Sequence, residues 1–282
     1  MERKITRRAM ITSLGGLALA AAGVEAAVLE PRRLAVTRHL LGRDVGAGDS
    51  TIAIVQISDL HLRRVGDLEE RVAENVGALR PDLVVFTGDS IHDAEALPLL
   101  SDFLGLLDPA TPKCSILGNW ERWCGVDIGE LRSIYASSNC RLLVNESAVY
   151  EYGRAEIRVT GLDDMIEGRP DIDAALRETK PSLNHLLLAH CPGQRDVIDF
   201  GALSQSSDSA PQYMLSGHTH GGQVSLWGLA PVRPRGSGRY VAGWYSGEGP
   251  DLYVSRGLGW TSLPIRLGSV PEIALFEWTL ET

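Results

Sequence analysis

The sequence has few aromatic residues, few cysteines and no long hydrophobic run. Of its 282 residues, only 6% are Phe, Trp or Tyr. Its four cysteines fall at no C-x-x-C spacing, so a zinc ribbon or a thioredoxin-like redox centre is disfavoured, and we expect ordinary buried thiols. The uncharged stretch 9–24 is shorter than the roughly 20 residues that a bilayer-spanning helix needs.

Basic residues are scarce outside the N-terminus. Residues 1–33 hold six of the 27 basic and three of the 36 acidic residues, which leaves 21 basic against 33 acidic residues in the rest of the chain. Binding to a phosphate backbone needs a basic surface. The composition therefore argues against a general nucleic-acid binder and leaves a cation-dependent enzyme open.

The first 33 residues have the composition of an export signal. Arg7 and Arg8 precede the stretch 9–24, which is rich in Ala, Gly and Leu. A basic start, an apolar middle and small residues are typical of a signal segment, and the adjacent arginines resemble the twin-arginine type. We predict that residues 1–33 form such a segment and the start of a linker, and that 34–282 form the folded domain.

This interpretation predicts a protein that uses the twin-arginine export machinery and works in the periplasm or cell envelope. The alternative is that the arginines are chance basic residues on an N-terminal helix. Small residues allow cleavage after Ala20 or Ala22; an uncleaved signal would anchor the protein, so membrane-surface association stays open. Export of a folded chain suits a protein that acquires a metal first, because metal binding and folding are coupled.

The body of the chain alternates strand-like and helix-like patterns. Apolar, β-branched runs at 51–57, 83–86 and 115–117 are separated by helical spacing at 68–79 and 97–107. This alternation predicts parallel crossover units, whose ligand sites lie at the carboxyl ends of the strands. The polar residues that follow these runs are Asp59, Asp89 and Asn119.

Strand patterns continue in the second half of the chain. The alternation over 148–159 predicts a hairpin, so the sheets are expected to be mixed. The further strands that we predict are 186–188, 214–215, 252–254 and 272–278.

Four of the seven histidines lie beside the predicted strand ends. Asp59-x-His61 places an oxygen and an imidazole on one turn, and imidazoles and carboxylates are ligands of transition metals. Each short motif alone is weak, because a lone histidine after an apolar run is usually a core residue. The ordered set of D-x-H, G-D, G-N, H and G-H-T-H, each after a strand-like run, is a strong indication of a metal site.

With these motifs the sequence resembles the calcineurin-like metallophosphoesterase family. The resemblance runs from about Ile54 to Trp278. The motif Ser216–Gln223, together with 254–259 and 271–273, is similar to that of an exported, envelope-associated phosphodiesterase branch. The motifs are Ser58–His61, Gly88–Asp89, Gly118–Glu121, Ala189–His190 and Ser216–Gln223.

The resemblance implies an α/β fold, a four-layer α/β/β/α sandwich with two mixed sheets, in which residues 34–282 form a metallophosphoesterase domain with two divalent metal ions. It implies that Asp89 and Asn119 take part in catalysis and that Asp89 bridges both ions. The implied ligands are Asp59, His61 and His220 for the first ion and Asn119, His190 and His218 for the second.

The implied function is an exported phosphoesterase that prefers phosphodiesters to monoesters and hydrolyses its substrate with a metal-bound hydroxide. Two cations about 4 Å apart can hold a phosphate oxygen and lower the pKa of a water. A carboxylate suits the bridging position because it has two oxygens. Mixed nitrogen and oxygen ligands suit manganese, iron or zinc without selecting among them.

One position departs from the family pattern. The family usually has a histidine where this chain has Trp120, and that histidine is expected to protonate the leaving oxygen. An indole donates a hydrogen bond but is no acid near neutral pH. His92, three residues after Asp89, is a candidate for a substitute acid, although it can equally be a surface loop residue. Glu121 is less favoured, because its carboxyl would need a strongly raised pKa.

Trp120 also supports an alternative from another class. A metal- or phosphate-binding envelope protein would keep the ligands and lose efficient turnover. Two interpretations are also open for the arginines of the loop that follows the motif Ser216–Gln223. They either contact a substrate phosphate or are simply solvated; the residues are Arg233, Arg235 and Arg239.

Overall fold

Two six-stranded sheets form the centre of the structure, a computed structural model that describes residues 16, 20–42, 50–177, 180–206, 210–225 and 229–282. In chain order the strands are β1 Ala35–Leu41, β2 Ser50–Ile57, β3 Leu83–Phe86, β4 Lys113–Ser115, β5 Cys140–Leu142, β6 Glu146–Tyr152, β7 Ala155–Gly161, β8 His185–Leu188, β9 Tyr213–Ser216, β10 Gly243–Tyr245, β11 Asp251–Val254 and β12 Glu272–Leu280.

Both sheets are mixed. The first has the order β1-β12-β2-β3-β4-β5, in which β12 runs parallel to β1 and antiparallel to β2. The second has the order β10-β11-β9-β8-β7-β6, with an antiparallel pair at each edge and parallel pairs between them. In each sheet, consecutive parallel strands place their carboxyl ends at one edge, as the βα pattern predicted.

Helices cover the outer faces of the sheets. Their bounds are α1 Asp67–Leu79, α2 Leu97–Gly105, α3 Asn119–Trp123, α4 Ile128–Ser137, α5 Ile172–Leu176 and α6 Phe200–Ser206. Helix α1 begins with three acidic residues in its first turn, which interact favourably with the helix dipole, and ends at Arg80 in the left-handed conformation before Pro81.

Three buried clusters define four layers, because alternate residues of a strand face opposite sides of its sheet. Val55 and Ile57 face α1, α2 and α4 in one cluster, while Ile54 faces the second sheet. On the far side of the second sheet, Leu187 and Met214 pack with residues of α5 and α6. The predicted four-layer α/β/β/α sandwich is therefore confirmed.

Some elements differ from the sequence prediction. The third strand was predicted at 115–117, but β4 begins at Lys113. Lys113 can be buried there because its ammonium donates to the carbonyls of Asp108, Thr111 and Ser138. Strand β1 and helix α4 were not predicted.

The segment before residue 34 contacts the domain. The Ala26 carbonyl accepts a 2.9 Å hydrogen bond from the Arg266 amide, and the buried Glu30 carboxylate accepts from the amides of Gly268 and Ser269. The division at residue 34 stays a prediction, and Arg7 and Arg8 lie outside the described residues. Among the helices that the structure describes, none is long and apolar enough to cross a membrane.

Candidate metal centre

The seven predicted metal ligands come together at the carboxyl edges of the two sheets. Asp59 follows β2, Asp89 follows β3, and Asn119 follows β4 at the start of α3. His190 follows β8 in the second sheet, and His218 and His220 follow β9. All seven side chains, including that of His61, are buried.

Five of these residues have a left-handed backbone. The φ angles are positive at Asp59, His61, Asp89, His218 and His220, between 44° and 72°. This conformation is uncommon for residues other than glycine and is concentrated at functional sites, where the surrounding structure enforces it. The sharp turns after the strands thus direct these side chains into one site.

Glycines in the motifs give these carboxylates room. A Cβ atom at Gly118 would lie 2.2 Å from Asp89 Oδ1, and one at Gly217 would lie 2.3 Å from Asp59 Oδ2. Gly257, in the later motif 254–259, would bring a Cβ within 2.7 Å of the Asp59 Cβ and also has a φ of 65°. Glycine is therefore required at these positions, because a side chain there would collide with Asp59 or Asp89.

The first group consists of Asp59, His61 and His220, whose ligand atoms lie within 4.8 Å of one another. The Nε2 atoms of His61 and His220 are 3.2 Å apart, and His220 Nε2 is 3.5 Å from Asp59 Oδ1. Asp59 is fixed by the Ser58 hydroxyl, which donates at 2.5 Å, and by the His218 amide, which donates at 2.9 Å.

The second group contains His190 and His218, whose ligand atoms lie within 4.8 Å of one another and of a carboxylate oxygen of Asp89. The family resemblance adds Asn119 to it. His218 Nδ1 lies 3.2 Å from His190 Nε2. His190 Nδ1 lies 2.7 Å from the Thr87 carbonyl, and His218 Nε2 lies 2.8 Å from the Arg235 carbonyl. Because a carbonyl only accepts, these two contacts put the proton on the outer nitrogen of each ring and leave the inner nitrogen free to bind a cation.

Asp89 lies between the two groups. Its Oδ2 atom is 3.5 Å from His61 Nε2 and 3.3 Å from His190 Nε2. Its Oδ1 atom accepts a 2.9 Å hydrogen bond from the Trp120 amide. The sequence predicts that each carboxylate oxygen serves one ion, whereas in the structure a single oxygen faces both groups and the other accepts from the Trp120 backbone amide.

The donor atoms fit two cations. The Asn119 Oδ1 atom is buried and has no hydrogen-bond partner among the described residues, although a buried amide oxygen normally has one. Imidazole nitrogens and carboxylate oxygens within 3.2–3.5 Å of one another suit ions of the manganese, iron or zinc type. A bound cation would give each of these nitrogen and oxygen atoms a bonding partner.

Burial keeps three of the histidines neutral. It lowers the pKa of His61 well below its usual value and lowers the pKa of His218 and of His220 to about 4. At His190 burial acts in the same direction, but the charge and hydrogen bond of Asp89 outweigh it and raise the pKa well above the usual value. Neutral imidazole is the form that binds a metal.

Trp120 and His92 lie beside the first group. The Trp120 indole is edge-on to the His61 ring, with centroids 5.1 Å apart, and stacks on the His92 ring at 4.4 Å. His92 Nε2 lies 3.0 Å from Arg63 Nη2, so it accepts a hydrogen bond and carries no proton. Burial, followed by the charge of Arg63, lowers the pKa of His92. This environment disfavours a proton donor at His92, whose role as an acid stays a prediction.

Glu121 supports the backbone of the site. Its carboxylate accepts hydrogen bonds from the amides of Asp89, Ser90 and Gly118, at 3.2, 2.6 and 2.9 Å. Burial, with the nearby charge of Asp89, raises its pKa to about 7. The Glu121 oxygens are thus engaged with the turns that carry Asp89 and Asn119.

Sequence reasoning missed the residues that support His220. The Ser269 hydroxyl donates to the His220 carbonyl at 2.5 Å, and the Arg266 guanidinium lies 3.4 Å from His220 Nδ1. Glu30 in turn accepts from the Ser269 amide. The chain separation of 239 residues between Glu30 and Ser269 left no local pattern to indicate this contact.

Comparison with known proteins gives one family. A sequence profile of the calcineurin-like phosphoesterases matches residues 52–222. The uncharacterized metallophosphoesterase YkuE of Bacillus subtilis is 31% identical over 290 residues, covering 98% of this chain and 97% of that protein. The phosphodiesterase YaeI of Escherichia coli is 29% identical over 260 residues, covering 88% and 89%.

Among solved structures, the 5'-nucleotidase precursor from Thermus thermophilus is similar with a TM-score of 0.48 and 16% identity. The match covers 82% of this chain and 55% of that one, so this chain spans about half the length of that protein.

Proposed function

The chain belongs to the calcineurin-like phosphoesterase family, and from that premise we propose that it is an exported phosphodiesterase whose two divalent cations are held by the seven residues described above. The first group and Asp89 would hold one ion, and the second group and Asp89 the other. Members of this family are metal-dependent phosphoric ester hydrolases that use two divalent metal ions.

The observation that carries this proposal is the position of Asp89 Oδ2 between His61 and His190. One oxygen facing both groups is the arrangement that a shared ligand needs. When bound, the two cations supply Lewis-acid activation of water and of the phosphate. Hydrolysis adds water across one P–O bond and yields an alcohol and a phosphomonoester.

The protein's own residues hold this arrangement rigid. The Trp120 amide and the Glu121 carboxylate fix Asp89 from two sides, and the Thr87 and Arg235 carbonyls orient the histidines of the second group. Of the side chains Asp59, Asp89, Asn119 and Glu121, Asn119 is neutral, so at most three negative charges face the four positive charges of two divalent cations. The site with its cations therefore attracts an anionic phosphate.

The preference for diesters is supported by the relative YaeI, which is named a phosphodiesterase. Trp120 bears on the leaving group instead, because its indole cannot protonate a leaving alcohol. Without that acid, esters with good leaving groups react best. Hydrolysis is then expected to depend steeply on the pKa of the leaving alcohol.

The test is metal analysis combined with turnover. Protein reconstituted with manganese, iron or zinc should contain two ions per chain and hydrolyse an aryl phosphodiester faster than the matching aryl monoester. One ion or fewer per chain would contradict the ligand groups. Full loading with no turnover of any ester would instead favour the alternative that Trp120 suggests, a metal- or phosphate-binding envelope protein.

Export by the twin-arginine machinery is the second part of the proposal. It is supported by Arg7 and Arg8 before the stretch 9–24, and it places the protein in the periplasm or cell envelope, cleaved or membrane-anchored. Replacing both arginines with lysine should leave precursor in the cytoplasm, measured by cell fractionation. The matched control is the double variant Arg32→Lys, Arg33→Lys, which leaves Arg7 and Arg8 unchanged and should be exported normally. Unchanged export of the Arg7, Arg8 variant would refute this part.

A further inference from the structure

A cavity of about 580 Å³ opens directly from the candidate metal centre. The residues of the candidate metal centre that line it are Asp89, Asn119, His218 and His220. Trp120 also lines it, so the cavity begins where a phosphate would be held. Whatever substituent a bound phosphate ester carries on this side must therefore enter this space.

The outer wall of the cavity is apolar. Trp123, Val224, Val232 and Leu263 line it, with exposed fractions of 55%, 36%, 75% and 59%. Pro231 and Pro234 extend the same surface. Large apolar side chains that are left exposed around a binding site indicate an apolar ligand or partner.

Basic residues are missing from this wall. Among the described residues that line the cavity there is no lysine or arginine, and Asp89 is the one acidic side chain. Arg63, the nearest arginine in the sequence to the first group, is engaged with His92 and with the carbonyls of Trp260 and Thr261. The described side chains that line the wall thus offer no cation to additional phosphates of a substrate.

We propose that the substrates are phosphodiesters with one apolar substituent, an alkyl chain or an uncharged ring, which packs against Trp123, Val232 and Leu263 while the phosphate lies at the metal centre. This inference rests on the proposed function and adds the substrate class to it. The cavity volume limits the substituent that can be fully enclosed, and a longer chain would extend past the exposed rim.

The experiment varies the substituent and keeps the leaving group constant. A series of p-nitrophenyl alkyl phosphodiesters from methyl to hexyl, each below its micelle concentration, is followed by release of p-nitrophenolate. In the metal-loaded protein kcat/KM should rise by about three- to fourfold for each methylene that is buried, until the cavity is filled.

The substitution Leu263→Gln makes the apolar wall polar at one position while keeping the side chain at a similar size. It should lower the ratio of the hexyl to the methyl rate constant by at least about threefold, because a polar group then faces the chain. Leu183→Gln is the matched control: Leu183 precedes β8, at the opposite sheet edge, and is 54% exposed. Both leucine carbonyls accept a glutamine side chain, so the backbone setting is alike. The control should keep the wild-type ratio.

Calorimetry supplies a readout that needs no turnover. Hexyl phosphate should bind with a more negative heat-capacity change than methyl phosphate, since apolar burial has this signature. Turnover of the methyl ester with no dependence on chain length would overturn the inference and leave the proposed function intact. Absence of all turnover would overturn the proposed function, while equal heat-capacity changes would still overturn the inference.

Discussion

The two ligand groups are held by different kinds of partner. In the second group the His190 and His218 rings bond to backbone carbonyls. In the first group His220 depends on side chains, because it contacts the Ser269 hydroxyl and the Arg266 guanidinium. A backbone carbonyl survives any substitution of its own side chain, whereas a hydroxyl or guanidinium does not. The first group should therefore be the more sensitive to mutation outside the ligands.

Asp89 faces both groups, so a substitution at Asp89 should affect the two groups alike. Asp89→Ala should lower metal content at both positions and reduce turnover by about 10⁴-fold, since several kcal/mol of metal-ion catalysis are lost. Elemental analysis and diester hydrolysis measure both effects. His220→Ala is the contrasting variant and should chiefly empty the first group. Retention of two ions by Asp89→Ala would refute the shared ligand.

Trp120→His tests the side of the first group on which the leaving alcohol is expected. A well-placed imidazole should speed alkyl diesters by about 10²-fold and aryl diesters much less, because only poor leaving groups need an acid. Metal content should not change, since the Trp120 amide that holds Asp89 stays in place. The measurement is the slope of rate against leaving-group pKa.

His92→Ala is the companion to that experiment. With Nε2 accepting from Arg63, we expect no selective slowing of alkyl esters. Selective slowing would establish His92 as the acid, and a shallow leaving-group dependence in the wild-type protein would indicate a proton donor elsewhere.

Glu30→Ala is expected to expose the dependence of the first group on remote side chains. The loop 268–269 would lose the carboxylate that accepts from both of its amides. Loss of an outer partner of a metal ligand typically weakens metal affinity by 10- to 100-fold, and we expect about tenfold at the first group. Competition with a chelator measures this affinity. Glu25→Ala is the control on the same segment, because Glu25 pairs with the exposed Arg33.

Arg235→Ala should have the smallest effect, within about twofold in metal affinity and turnover, as is usual for an exposed surface residue. Arg235 contributes its carbonyl to His218, and that carbonyl remains after the substitution. A large loss of kcat/KM with unchanged metal content would mean that the guanidinium contacts the substrate phosphate, the other possibility that the sequence left open.

That the seven proposed ligands lie close together could be predicted from the sequence, because each follows a strand in a short local motif. The partners of the first group could not, since Glu30 and Ser269 meet only through the tertiary fold. Strand β1 was missed for a similar reason. Thr37, Arg38 and His39 interrupt its apolar pattern, and its hydrogen bonds go to β12, more than 230 residues later.

The role of Asp89 shows a further limit of sequence reasoning. The motif predicts that Asp89 is shared by the two groups, but the local chain does not show which of its oxygens is free. The Trp120 amide decides it, because α3 begins beside the carboxylate. Of the apolar wall, the sequence indicated only Trp123, as a residue that lines the cleft or packs under it, because Val232 and Leu263 come from separate stretches of chain.

The position of β12 between β1 and β2 has a consequence for how the protein is made. Among the strands that the structure describes, β12 is synthesised last, so β2 lacks its neighbour on that side while the strands before β12 are made. During that time Asp59 and His61, which follow β2, lie next to a sheet that still lacks one of its inner strands. The newly made chain must keep this open edge from pairing with other chains until β12 is available.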